Sequence, residues 1–335
     1  MNMTRCIRVP KREGEGIRSR LLEAEVLDTK HKIRADGDFL MIPVLCDSFE
    51  GHEAEEFETD VIEVRPKDYK EILDLPDWLS EELPTSFDII GDVVLIKLSD
   101  VLLPYKNEIG DAMIQAASGM RAVMLDSGVK GEFRIRDLEK IAGTGSSETI
   151  HKEFGTKIKT DPSAVYFNPR LAGERARVAL EVKKGEVIID MFSGVAPFPL
   201  VISKLANPEV IYSIDLNPEA EKFMRMNIEM NGADNIVPIT GDAREAIKSL
   251  PKADRIIMNL PQSSEEFLDS ALESAKIGAT IHMYKVLERS EMEDFISRLK
   301  DRMTSLGYRM HVARTSELKT YSPTMSVYVF DIVRD

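Results

Sequence analysis

EVIIDMFSGVAPF, residues 186–198, decides how the second half of this chain is read. Its apolar run ends in Asp190, and a turn containing Gly194 then leads to Pro197, a residue suited to the first turn of a helix. The same rhythm recurs downstream. VIYSIDL (210–216), NIVPITGD (235–242) and RIIMNL (255–260) are apolar β runs separated by the helical stretches PFPLVISKLA, PEAEKFMRMNIEMN and AREAIKSL. Near-continuous apolar strands alternating with helices predict an α/β fold with a doubly wound, mostly parallel, Rossmann-like sheet covered on both faces. ATIHMYKV, MHVARTSEL and SVYVFDIVRD supply three more strands, the last two joined by KTYSP as an antiparallel hairpin at one edge.

Two smaller domains are expected ahead of this one, which spans residues 166–335. Residues 1–66 read as a small α/β domain with a helix in GEGIRSRLLEAEVL and two strands around the turn Asp36-Gly37-Asp38. CDSFEGHEAEEFETD then reads as an exposed loop, and Arg65-Pro66 ends the strand VIEV. Residues 67–165 read as an α+β domain with helices at DYKEILDLP and IGDAMIQAASGM and a strand at DIIGDVVLIKL. GEFRIRDLEKIAG and TIHKEFGTKIKTDPSAVYF are its strand-like closing segments.

Acidic residues outnumber basic ones 58 to 44, for a formal charge of −14, which taken alone argues against a protein that coats nucleic acid. The distribution matters more than the sum. Residues 47–63 carry eight acids and no Lys or Arg, whereas residues 130–177 carry ten Lys/Arg against seven acids. That locally basic band is the feature needing a partner. Cys6 and Cys46 cannot build a disulfide framework or a four-ligand zinc site. No apolar run approaches a membrane span, and MNMTRCIRVPKREGEG lacks the apolar core of a secretory signal. The simplest expectation is a cytoplasmic, monomeric protein without a metal.

In open parallel sheets, ligands bind at the carboxyl ends of the strands. Here the ends carry Asp190, Asp215-Leu216, Asp242-Ala243 and Asn259-Leu260-Pro261. MFSGVAPF is not GxGxxG, so a dinucleotide cradle is poorly supported. Each acid alone is more often a helix N-cap. Three acids at successive strand ends, with one Gly turn, describe instead a site for a nucleoside without phosphates, which points to S-adenosylmethionine. Asp190 is then expected near the methionine amino group, Asp215 at the ribose and Asp242 at the adenine. Phe192, Gly194, Phe198, Leu216, Ala243 and Asn259 complete the expected cofactor site. A carboxamide offers both donor and acceptor, and a Pro-fixed corner aims a carbonyl outward, so Asn259-Leu260-Pro261 suits a planar nitrogen-bearing group.

With these residues assembled, the chain resembles the archaeal and eukaryotic tRNA (guanine-37, N1) methyltransferases. GEFRIRDLEKIAG, TIHKEFG, VYFNPRLAGERARVA, DMFSGVAPF, DLNP, GDAR and RIIMNLP occur in the family's order across about residues 130–261, and YSP follows near the C-terminus. The resemblance implies methyl transfer from S-adenosylmethionine to N1 of the guanosine 3′ of the anticodon. It implies Glu174 as general base, Arg134 stabilising charge on the guanine O6, Asn259 and Pro261 framing the base, and Tyr166 packing on it. N1 carries a proton at neutral pH, so transfer needs a base, and a fixed guanidinium acts where charge appears. The family's Ser, Thr and second Gly are here Asn168, Gly173 and Ala196, and Pro199 replaces a Ser.

A base in the anticodon loop must flip out to reach such a pocket. The basic band, including Arg136, Lys152, Arg170 and Arg175, is the expected tRNA surface, and the first domain is expected to touch the tRNA's outer corner. The nearest rival is a wyosine-pathway enzyme transferring the aminocarboxypropyl group of the same cofactor, or a dual-specificity methyltransferase. From another class, the chain could be a tRNA-binding module without catalysis. Intact acids at the three strand ends speak against the last.

Overall fold

The computed structural model describes residues 2–62, 66, 68–131 and 133–335, which fall into two compact units, Met1–Glu71 and Ile72–Asp335. In the first unit five strands lie in the order Arg34–Asp36, Phe39–Pro43, Asn2–Pro10, His52–Thr59 and Ser48–Phe49. Helix Gly14–Glu23 buries Ile17 and Leu21 against Ile7, Val9 and Ile42. The acidic stretch is therefore not the expected loop. His52–Thr59 pairs antiparallel with Asn2–Pro10, matching Phe57 to Thr4, and its ladder and the burial of Thr59 outweigh the poor strand preference of Glu. The boundary expected at residue 66 lies ahead of Glu71, where the first unit ends, and Arg65, at the end of VIEV, lies outside the described residues.

The second unit opens with a four-stranded sheet ordered Asp88–Ile90, Val93–Ile96, Ala122–Lys130 and Ile135–Gly143, backed by helix Lys106–Ala116. DIIGDVVLIKL is thus two strands rather than one. They turn at Gly91, with φ of 59°, where an added Cβ would lie 2.1 Å from Thr149 Oγ1. DYKEILDLP yields only a 3-10 turn at Tyr69–Glu71. A hairpin of Thr149–Glu153 and Thr156–Thr160 follows.

The large sheet has seven strands: β1 Val187–Asp190, β2 Val210–Asp215, β3 Ile236–Thr240, β4 Ala253–Met258, β5 Ala275–Glu288, β6 Met310–Thr320 and β7 Met325–Arg334. Their order is 3-2-1-4-5-7-6, with β1 to β5 parallel and β7 antiparallel to both β5 and β6. The expected hairpin is present, but β7 slots beside β5 and β6 takes the edge. Alternate residues feed two cores. Ile188, Ile211 and Ile257 pack on one face with Phe198 and Tyr284; Ile189, Ile214, Ile256 and Met283 pack on the other. Burial on both faces is what a near-continuous apolar strand requires.

The division expected at residue 165 falls inside the second unit. One core joins Ile90, Leu95 and Ile158 to Phe167, Val178 and Ile188. Polar ties reinforce it: on helix Pro218–Asn231, Asn227 Nδ2 donates to Lys159 O at 2.9 Å and Asn231 Nδ2 to Lys157 O at 2.7 Å. The middle segment and the methyltransferase-like sheet therefore fold as one body.

Candidate functional site

The turn after β1 is held by charge. Gly194, with φ of 54°, donates its amide to Asp215 Oδ2 at 2.7 Å, and the Asn217 amide takes Oδ1 at 2.9 Å. An added Cβ at Gly194 would lie 3.0 Å from Tyr166 O, so a side chain there crowds that backbone. Ala196 sits at φ 66° as the N-cap of helix Pro197–Leu205, in the left-handed region that favours glycine. Capping of the next helix falls to Asn217, whose Oδ1 accepts from the Glu219 amide, and this leaves Asp215 to the turn. At the third strand end, Asp242 caps Ala243–Ala246 and pairs with Arg244, which holds its carboxyl below the usual range.

Asp190 is 1% exposed, and its Oδ2 has no hydrogen-bond partner. Burial pushes its carboxyl up to about 7, against hydrogen bonds from Phe192 and Ser193, while Asp215 adds repulsion. A buried acceptor without a donor is costly, and Asp190 does not line the cavity at the strand ends, to which it was expected to contribute. The sign follows from the raised value. Asp190 stabilises the free protein at low pH, and that contribution is lost as pH rises from about 4 to about 7. Asp190→Asn is therefore expected to be more stable than the parent at pH 8 by about 2–4 kcal/mol and to converge with it near pH 4. Denaturant unfolding at several pH values reads the gap; a gap independent of pH would refute this account of Asp190.

The strand ends border a cavity of about 530 Å³. Gly194, Phe198, Asp215, Leu216, Asp242 and Ala243 form one wall, and Phe192 meets Phe267 edge to face at 4.8 Å. Arg134, Tyr166, Asn259 and Pro261 line the same cavity, with the Arg134 guanidinium 5.8 Å from the centre of the Tyr166 ring. Of the expected residues, these are brought together. Asp190 lies buried behind the wall.

Glu174 also sits behind it. On helix Ala172–Glu181, Glu174 is 8% exposed and accepts from Arg177 Nε at 2.8 Å, Arg177 Nη2 at 2.6 Å and Tyr284 Oη at 2.7 Å. Tyr284, itself fully buried, borders the cavity, and Glu174 does not. Gly173, the departure beside it, faces open space.

The expected tRNA-binding residues divide. Lys152 is exposed, and Arg170 is exposed while donating to Asp88 at 2.6 Å. Arg136 is committed to Asp126 and Asp88 at 2.5 and 3.0 Å. Arg175 is 1% exposed and grips Glu153 through two hydrogen bonds of 2.6 and 2.7 Å, so it offers no charge to a phosphate although its side chain reaches the cavity wall. Sequence reasoning missed Tyr284, Phe267 and Lys319, all at the cavity. Lys319 follows the apolar alternation of β6 and precedes the YSP motif, a position that could have flagged it. Burial lowers its pKa, aided by the charge of Arg170 and, less, by Arg136 and Arg134, against the opposing charge of Asp88.

Comparison with known proteins gives three family matches: the TRM5/TYW2 methyltransferase domain over residues 149–311, the TYW2 N-terminal domain over 69–146, and the tRNA methyltransferase 5 N-terminal domain over 6–53. The tRNA (guanine(37)-N(1))-methyltransferase Trm5b of Pyrococcus abyssi is 41% identical over 323 residues, covering 96% of each chain. Its crystal structure superposes with a TM-score of 0.75 at 39% identity, covering 99% of each chain. The aTrm5 chain solved in complex with tRNALeu gives a TM-score of 0.74 at 31% identity, covering 98% of this chain and 99% of that one.

Proposed function

The chain belongs to the TRM5/TYW2 methyltransferase family, and from that premise we infer that it transfers a methyl group from S-adenosylmethionine to N1 of guanosine 37 in tRNA. The observation carrying the reading is one cavity lined by Gly194, Asp215 and Asp242 together with Arg134, Tyr166, Asn259 and Pro261. The bound cofactor supplies an activated methyl on a sulfonium. Every other task falls to side chains. Asp215 retains acceptor capacity for a ribose hydroxyl beyond its two amide bonds, and Asp242 stands at the adenine end. Tyr166 offers a face to the flipped base, and Asn259 and Pro261 orient its edge. Arg134 stabilises charge developing on O6, and Glu174 receives the N1 proton. Asn259 and Pro261 at the cavity favour methyl over aminocarboxypropyl transfer. Incubation with labelled S-adenosylmethionine and unmodified tRNA carrying guanosine or adenosine at position 37, with mass mapping of the product, tests the assignment. Label in the adenosine-37 tRNA, or at a guanine atom other than N1, would overturn it.

The reading takes the protein as a monomer of the cytoplasm; no helix among the described residues is long and apolar enough to cross a membrane. Lys152 and Arg170 face the anticodon arm, and Met1–Glu71 is the domain for the tRNA's outer corner. Deleting residues 1–64 is expected to weaken tRNA binding about tenfold or more at physiological salt and leave cofactor affinity unchanged. Equal tRNA affinity of the truncated protein removes that role.

A further inference from the structure

The base assigned to the reaction does not touch the cavity in which the reaction occurs. The group between them is Tyr284. It borders the cavity although it is fully buried, its ring lies 6.0 Å from that of Phe198, and its hydroxyl donates to Glu174 Oε1 at 2.7 Å. The parallel register pairs Met258 with Met283, so the residues that follow are neighbours: Asn259 just past the end of β4, and Tyr284 within β5. The tyrosine thus stands beside the carboxamide that frames the target base.

We propose that Tyr284 is a further catalytic residue, relaying the N1 proton of guanosine to Glu174. The proposal rests on Glu174 as terminal base. In the step, the N1–H bond breaks and its proton joins Tyr284 Oη, while the original hydroxyl proton passes to Glu174 Oε1. The electron pair freed on N1 forms the bond to the methyl carbon, and the C–S pair leaves with sulfur. Tyr284 ends unchanged, Glu174 ends protonated, and the cofactor's positive charge is gone. Burial, with the adjacent charge of Glu174, raises the phenol far above its ordinary value, so a free tyrosinate does not form and the two proton movements are concerted.

The surroundings of Glu174 support its role as acceptor. Arg177 also donates to Asp331 and Glu181, both at 2.8 Å, and Asp331 is in turn bonded to His282 at 2.6 Å. Arg177 therefore keeps two counter-charges when Glu174 is neutralised, and the network does not strand a buried cation. Glu181, His282 and Asp331 come close enough to one another to hold a metal ion, but Arg177 and Arg255 already occupy their lone pairs. The cluster is a charge reservoir behind the base.

Single-turnover methylation by the full-length protein on unmodified guanosine-37 tRNA tests the relay. Tyr284→Phe is expected to lose about 100-fold or more in rate, with cofactor and tRNA affinities within about threefold of the parent. Because the phenylalanine variant could fail to fold, the parent enzyme supplies a second measurement: its rate in mixtures of light and heavy water. Two protons in flight give a curved dependence on the deuterium fraction, which a purely structural tyrosine does not produce. A linear dependence or no isotope effect in the parent, or a Tyr284→Phe rate within about threefold while Glu174→Gln is inactive, overturns the relay. Full rate in Glu174→Gln overturns instead the base assignment beneath it.

Discussion

Glu174→Gln is expected to slow single-turnover methyl transfer by about 10²–10⁴-fold, the range for loss of a positioned general base. Glutamine preserves shape and can still accept from Tyr284, but its amide oxygen has no useful basicity. The fold should persist, because Arg177 retains Asp331 and Glu181 as partners. Thermal unfolding therefore separates a lost base from a lost structure. Cofactor affinity should stay near that of the parent, since Glu174 lies away from the Gly194–Asp215 wall. The loss belongs to the transition state and appears in the maximal rate rather than in binding. A variant that methylates at the parent's speed across neutral pH removes Glu174 from the mechanism.

The second large effect is one of stability. Arg175→Ala is expected to destabilise the second unit by about 2–4 kcal/mol, because it removes both guanidinium hydrogen bonds from the buried Glu153 and leaves it only His151. Burial pushes the Glu153 carboxyl up, but hydrogen bonds from His151 and Arg175 hold it below its ordinary value. Its stabilising contribution is thus present at neutral pH and fades as pH falls through the carboxylate range. The gap between parent and variant should narrow with it as the carboxylate takes a proton. Pairing the change with Glu153→Met should recover most of the loss, since an apolar pair can replace a buried ion pair. The pair joins the hairpin Thr149–Glu153 to the helix bearing Glu174, so the single variant should also slow catalysis. If Arg175 instead served a phosphate, the variant would stay stable and lower the salt dependence of tRNA binding.

The Asp242 and Asp215 strand ends show why local sequence left two readings open. Both are acids before a helix, and both satisfy the pattern of a cap. Asp242 is one. Asp215 is not, because Asn217 takes the capping position and frees the carboxylate to fasten a glycine 21 residues earlier in the chain. The acidic stretch of the first unit failed for a related reason. Glu has little preference for strands, and only the partner strand Asn2–Pro10, distant in sequence, made one of His52–Thr59.

From its residues alone the chain determined the alternation of strands and helices, the cofactor type at the strand ends, and a family resemblance carried by ordered motifs. These are local quantities: periodicity, turn chemistry and spacing. Tertiary structure decided what each charge is for. Arg134 and Arg175 are indistinguishable as members of a basic band, yet one stacks at a cavity and the other is sealed against Glu153. Tyr284 reads as one apolar residue among others in β5 until a helix more than a hundred residues away places a carboxylate against its hydroxyl. The worth of a charge or a hydroxyl depends on burial and partner, and both are set by contacts between segments that no local pattern records.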